Sequence, residues 1–148
     1  MRQSEEVSLL LIEDDEIDAM DFMRSIKAHR IANRIVRAHD GLEAWEIITG
    51  QSDKEISRPF LIVLDINMPR MNGIEFLRKL RADSKLKNAV VFVLTTSNDE
   101  KDRFEAYDLN VAGYMLKSDV GNSFEKAVGL VETYWKVVEF PVSRVASV

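Results

Sequence analysis

Five short apolar segments, each followed by a stretch with apolar residues at helical spacing, constrain this chain more than any other feature of it. The segments are Val7 to Ile12, Arg34 to Ala38, Phe60 to Leu64, Ala89 to Leu94 and Ala112 to Leu116, mostly rich in Val, Ile and Leu as strands are. Three of them are near-continuously apolar, which suits parallel strands covered on both faces. Between them, Ile17, Met20, Phe22, Met23 and Ile26, then Leu42, Trp45 and Ile48, then Ile74, Leu77 and Leu80, then Phe104, Tyr107 and Val111 recur at helical spacing. Alternation of this kind, with short right-handed connections, predicts a doubly wound α/β fold: a three-layer αβα sandwich about a five-stranded parallel sheet.

The length, 148 residues, fits one domain over 1–148, with a core of about 7–139 and a C-terminal extension over 140–148. A formal charge of -5 disfavours a general binder of nucleic acid or anionic membrane. Cysteine is absent and only His29 and His39 supply imidazoles, so disulfides, thiolate zinc sites and thiol nucleophiles are excluded. Any metal must be held by oxygen. No apolar run approaches the roughly 20 residues that span a bilayer, and MRQSEEVS does not resemble a secretory leader, so a cytoplasmic protein is expected.

In an open parallel sheet the ligand sits beyond the carboxyl ends of the strands. Those ends carry Glu13, Asp14 and Asp15 after the first strand, Asp65, Ile66 and Asn67 after the third, Thr95, Thr96 and Ser97 after the fourth, and Lys117 after the fifth. Acids converging without cysteine or a histidine set suit a hard divalent cation such as Mg²⁺, which would relieve their mutual repulsion. A lysine and a hydroxyl at the same edge can balance and hydrogen-bond a phosphoryl group, and an aspartate there can carry it covalently. Singly, each of these residues is an ordinary helix cap, turn residue or solvated charge. Their joint occurrence at four strand ends points to function.

LLLIEDDE, LIVLDINMPRMNGIEFL, VFVLTTS and GYMLKS resemble, in order and spacing, the receiver domain of bacterial two-component response regulators over roughly residues 7 to 139. The resemblance implies a flavodoxin-like receiver fold and a stand-alone protein that accepts a phosphoryl group from a histidine kinase in a Mg²⁺-dependent reaction. It implies Asp65 as the phospho-acceptor, Glu13 and Asp14 as the acidic pair at the metal, and Asn67 as the residue whose backbone carbonyl is a metal ligand. It further implies Thr95 as the switch hydroxyl, Lys117 as the lysine that meets the phosphoryl group, and Tyr114 as the aromatic switch. Asp15 flanks the acidic pair. Pro69 and Gly73 match the turn after the phosphorylation strand, where a fixed φ and an absent Cβ suit a tight loop. YDLNVAGYMLKS, the link from Gly50 to Pro59 and the C-terminal extension resemble the small regulators associated with cyanobacterial and bacterial phytochromes, which implies a phytochrome-type kinase as donor.

Two positions depart from the pattern. Ser118 stands where most receivers have proline after the lysine, and a cis peptide at Lys117–Ser118 costs about 3–4 kcal/mol without proline. Thr96 stands where most have a small residue, and its β-branch crowds the path to the phosphoryl group. A haloacid-dehalogenase-type phosphatase also forms an aspartyl-phosphate, but has a second aspartate two residues after the nucleophile, where this chain has Asn67. A flavodoxin-like cofactor binder needs a glycine- or hydroxyl-rich phosphate loop after the first strand, where this chain is acidic.

His29 and His39, at a predicted helix end and a strand-to-helix turn, read as surface residues. Trp45 reads as core, and Arg78, Lys79, Arg81, Lys85 and Lys87 as a solvated basic helix end. Nine residues follow Glu139, so no DNA-binding or other effector domain is expected, and output is expected through contact with another protein. In the last helix Phe124, Ala127, Val128, Val131, Trp135 and Val138 suffice to cover the sheet. Leu130, Tyr134 and Val137 form a second apolar stripe, continued by Phe140, Pro141, Val142 and Val145. The surplus predicts a two-fold homodimer through the last helix, the fifth-strand edge and the tail.

Overall fold

A computed structural model of the chain describes residues 7–28, 34–119 and 125–137, without the side chains of 119, 125 and 135–137. His29, Phe124, Val138 and the 140–148 extension therefore lie outside the described residues, as do the side chains of Trp135 and Val137. The elements alternate: β1 (Ser8–Ile12), α1 (Glu16–Ala28), β2 (Ile35–Ala38), α2 (Gly41–Ile48), β3 (Phe60–Leu64), α3 (Gly73–Ala82), β4 (Val90–Thr95), α4 (Glu100–Asp108), β5 (Gly113–Leu116) and α5 (Glu125–Val137). Every strand bound lies within one residue of its expectation. The sheet is parallel throughout, in the order β2-β1-β3-β4-β5. The strand order reverses at β1 and β3, which makes the crevice beyond their ends the natural ligand position.

Strand side chains alternate between faces, so each strand feeds two cores. Leu10, Ile12, Ile62, Leu64, Val91 and Val93 pack with Ala44 and Ile47 of α2 and Phe76, Leu77 and Leu80 of α3. Leu9, Leu11, Leu61, Val63, Phe92 and Leu94 pack on the other face with Ala19, Phe22 and Ile26 of α1 and Ala127, Val128 and Val131 of α5. The near-continuous apolar runs of β1, β3 and β4 are explained by this two-sided burial.

Two helices turn differently from their apolar spacing. In α1 the inward residues are Ala19, Phe22, Ser25 and Ile26, while Ile17 and Met20 stand 72% and 48% exposed. In α4 only Ala106 is buried, and Phe104 and Tyr107 are 74% and 50% exposed. The second stripe of α5 is likewise divided. Leu130 is 46% exposed, but Tyr134 packs edge-on against Phe92 of β4, with ring centroids 4.9 Å apart.

In the basic stretch Arg78, Lys79, Lys85 and Lys87 are exposed, as expected, and Arg81 is the exception. Arg81 donates to four backbone carbonyls, those of Lys87, Ala89, Leu109 and Asn110, at 2.7 to 2.9 Å, which ties the end of α3 to the loops around β4. Arg78 pairs with Glu105 of α4, and the Lys79 ammonium lies 5.0 Å from the Trp45 ring centroid. Trp45 itself packs half-buried against the core, as expected.

Candidate functional site

The helix starts hold the loops of the site in place. Asp15 precedes α1 and its Oδ1 accepts the Asp18 amide at 3.0 Å, which is capping geometry and agrees with a flanking place for this acid. Asn72 caps α3 reciprocally with Glu75, the Asn72 side chain accepting the Glu75 amide and the Glu75 side chain the Asn72 amide. Gly73 begins that helix directly against the end of β3: a Cβ there would lie 2.6 Å from the Asp65 carbonyl oxygen and 2.7 Å from Ile66 Cα. Glycine is required by this approach. Arg70, in the same loop, adopts a positive φ of 60° and donates through Nε to Asp40 Oδ2 at 2.6 Å, joining the loop to the N-cap of α2.

At the carboxyl edge Glu13 and Asp65 are buried and Asp14 is exposed, and one oxygen of each lies within 4.8 Å of the other two. This donor set is all carboxylate oxygen, with no nitrogen or sulfur, and it fits a hard divalent cation. Asn67 is exposed one loop residue beyond, its amide donating to Asp65 Oδ1 at 3.3 Å. Lys117 reaches in from the end of β5 with a side chain only 8% exposed, and its Nζ lies 2.7 Å from Glu13 Oε1, 2.7 Å from Asp18 Oδ2 and 3.4 Å from Asp65 Oδ2. Burial, joined by the charge of Asp65, pushes the Glu13 carboxyl up to about 8 against the opposing pull of Lys117. Burial also works against the Lys117 charge, but the hydrogen bonds of Asp18 and Glu13 and the charge of Asp65 outweigh it and raise the ammonium above the ordinary lysine range.

Thr95 ends β4 fully buried, and its Oγ1 accepts the Ser97 amide at 3.2 Å. Tyr114 is half-buried, and its hydroxyl donates to the Ser97 carbonyl at 2.9 Å while the Arg103 guanidinium lies 5.6 Å from its ring centroid. Ser97 Oγ donates in turn to Asp102 Oδ2 of α4 at 2.6 Å. Thr96 is exposed beside this network. The lysine loop is a single 3₁₀ turn, Lys117–Asp119, and among the described residues the one cis peptide is Arg58–Pro59, so Lys117–Ser118 is trans. His39 is an exposed residue bonded through Nδ1 to Glu43 at 2.8 Å.

The edge thus gathers Glu13, Asp14, Asp65, Thr95 and Lys117, with Asn67 and Tyr114 adjoining. Sequence reasoning missed Asp18 on Lys117, Ser97 between Thr95 and Tyr114, and Arg37, whose Nε and Nη2 donate to the Glu13 carbonyl at 3.1 and 2.8 Å. Asp18 falls one turn into α1, where acids are common for the helix dipole alone, and nothing local distinguishes it.

Residues 9–128 match the response regulator receiver domain. Response regulator Rcp1 of Synechocystis sp. is 35% identical over 128 residues, covering 86% of this chain and 87% of the relative. The phosphorylated cyanobacterial phytochrome response regulator RcpA superimposes with a TM-score of 0.83 at 31% identity, over 93% of this chain and 99% of that one. The Mn²⁺-bound form of Rcp1 superimposes with a TM-score of 0.81 at 34% identity, over 93% and 99%.

Proposed function

The chain belongs to the response regulator receiver family, and from that premise we propose that it is a stand-alone phospho-acceptor served by a phytochrome-type sensor histidine kinase. A carboxylate oxygen of Asp65 attacks the phosphorus of a phosphohistidine. The O–P bond forms as the P–N bond breaks, and the imidazole leaves with the electron pair, its other nitrogen protonated. Oxygens of Glu13, Asp14 and Asp65 and the carbonyl of Asn67 would hold Mg²⁺, which would supply positive charge against the phosphoryl oxygens. Lys117, whose Nζ lies 3.4 Å from Asp65 Oδ2, adds a second positive charge, and the same residues serve the later hydrolysis. The observation that carries this reading is Asp65 itself, buried at the end of β3 between an oxygen-only acid cluster and a buried ammonium.

Thr95 and Tyr114 then report the phosphoryl group. The Thr95 hydroxyl, which accepts from Ser97 in this state, turns to donate to the phosphoryl oxygens, and Tyr114 exchanges its bond to the Ser97 carbonyl for another rotamer. The altered surface around α4 and β5 signals to a downstream protein in the cytoplasm. A two-fold homodimer through α5 and the β5 edge, assisted by the tail, completes the proposal, with the exposed Leu130 as its apolar contact.

Incubation with kinase, ATP and Mg²⁺ tests the acceptor. An intact fold but no acid-labile label is expected for Asp65→Asn, because the amide keeps the volume and loses the nucleophilic charge. Persistent labelling of that variant moves the phosphosite to Asp14 or Asp15.

A further inference from the structure

The ammonium that would meet a phosphoryl group on Asp65 is already engaged in full. Lys117 Nζ has three donors, and three carboxylates face it, Glu13 and Asp18 at 2.7 Å and Asp65 at 3.4 Å. The ammonium is therefore drawn toward β1 and α1 and away from the acceptor. Of its three partners, Glu13 and Asp65 belong to the acid cluster with Asp14, whereas Asp18 does not. Asp18 stands in the first turn of α1, its backbone fixed by the Asp15 cap and its Oδ2 on the ammonium.

We propose that Asp18 is a positioning residue that restrains Lys117 on the α1 side of the site and competes with the phosphoryl group for its ammonium. The inference rests on the reading of Asp65 as the acceptor. A phosphoryl group brings three strong acceptors and a charge of about -2, and Lys117 can meet it only by withdrawing a donor from a carboxylate it now holds. A cation held by the acid cluster would engage Glu13 and Asp65, so the contact left to compete is that of Asp18. Its side chain is 29% exposed, and water can solvate the carboxylate once the lysine leaves. Asp18 thereby sets how readily the phosphorylated state forms and how firmly the lysine holds it.

Beryllofluoride, a non-covalent mimic of an aspartyl phosphoryl group, separates this role from a structural one. Its affinity is read by fluorine NMR on the full chain at saturating Mg²⁺, for wild type, Asp18→Glu, Asp18→Asn and Asp18→Ala. Removing the competing charge is expected to tighten binding about three- to tenfold in Asp18→Ala, the range for one charge-assisted contact at a partly exposed position. Asp18→Asn, which keeps a neutral acceptor, falls between, and Asp18→Glu stays near wild type. Loss of a purely structural residue weakens binding instead. Equal or weaker binding in both Asp18→Asn and Asp18→Ala overturns the proposal, and Asp18→Asn alone decides if Asp18→Ala does not fold. Wild type that binds no mimic, or Asp65→Asn that binds it as well as wild type, defeats the acceptor reading and this inference with it, by a pattern that unequal Asp18 variants cannot produce.

Discussion

Four acids and one lysine share one edge of the sheet, and their crowding decides how the residues there behave. Glu13, Asp65 and Asp18 set three carboxyl groups around the single ammonium of Lys117, with Asp14 a fourth acid in the cluster with Glu13 and Asp65. Burial and Asp65 together hold the Glu13 carboxyl at about 8, far above the ordinary carboxylate range, so ionising every acid of the folded edge carries a cost. A divalent cation would offset that cost and so bind the folded chain in preference to the unfolded one. At Mg²⁺ about tenfold above its Kd, the melting temperature is expected to rise by about 3–5 °C. Asp14→Ala removes one oxygen donor of the acid cluster without disturbing the Lys117 contacts and should abolish the rise, as measured by calorimetry with and without Mg²⁺. An unchanged wild-type curve counts against the metal site. Glu13, Asp65, Thr95 and Lys117 were legible in the sequence because each directly follows an apolar strand, and strand ends in a parallel sheet point to one edge. The contacts of Asp18 and Arg37 were not, because each reaches the site through a side-chain direction that spacing along the chain does not encode, and Ser97, visible at the fourth strand end, joins Thr95 to Tyr114 through its backbone amide and carbonyl.

At the scale of elements, polar pairs secure what the apolar stripes leave unspecified. Glu43, in the first turn of α2, accepts from the His39 amide at 2.7 Å and pairs with Lys54 at 2.9 Å, so one carboxylate joins the end of β2, the start of α2 and the loop before β3. Partial burial opposes its charge, but Lys54 and His39 prevail and hold its carboxyl at about 2. The folded value lies below the ordinary 4.5, so the stabilisation is present above about pH 4.5 and is lost as pH falls toward 2. Glu43→Gln should therefore cost about 1–2 kcal/mol at pH 7, discounted for the solvent that screens this site. Thermal melts of both proteins from pH 7 down to pH 3 should show the gap narrowing below pH 4.5; a gap that stays constant over that range rules out the carboxylate as its source. The same scale shows where apolar spacing misleads. Ile17, Phe104 and Tyr107 recur with helical period yet face outward, because α1 finds its buried stripe in Ala19, Phe22 and Ile26, and α4 needs only the small Ala106 to lie close to the sheet. Period identifies a helix, but its phase depends on which face the neighbouring layers leave open. Within the otherwise exposed basic run Arg81 departs for a related reason: a long cationic side chain lies over the surface and reaches carbonyls distant in sequence.

For the molecule as a whole, strand number, direction and boundaries followed from the alternation of apolar segments, whereas the disposition of the outer surface of α5 depended on tertiary packing. Tyr134 was expected on a second stripe and instead lies edge-on against Phe92, because the α5 side of β4 offers an aromatic partner at that height. The surplus apolar surface on α5 is thereby reduced, and Leu130 remains its exposed member among the described side chains. Beside it β5 is the edge of the sheet, with no strand beyond it in the order of five. The neighbouring α4 exposes Phe104 and Tyr107. A stable dimer needs roughly 800 Å² from each partner, and the proposed two-fold arrangement would set the face of α5 and the β5 edge against their copies with each Leu130 near its symmetry mate. Sedimentation at micromolar concentration should find a dimer for the wild type and a monomer for Leu130→Glu, which places a charge in the contact without touching the core. Tyr134 is to be left intact, since its replacement by glutamate would strip the edge-on ring from Phe92 and destabilise the monomer. A wild type that sediments as a monomer, or a Leu130→Glu chain that still pairs, removes α5 from the interface.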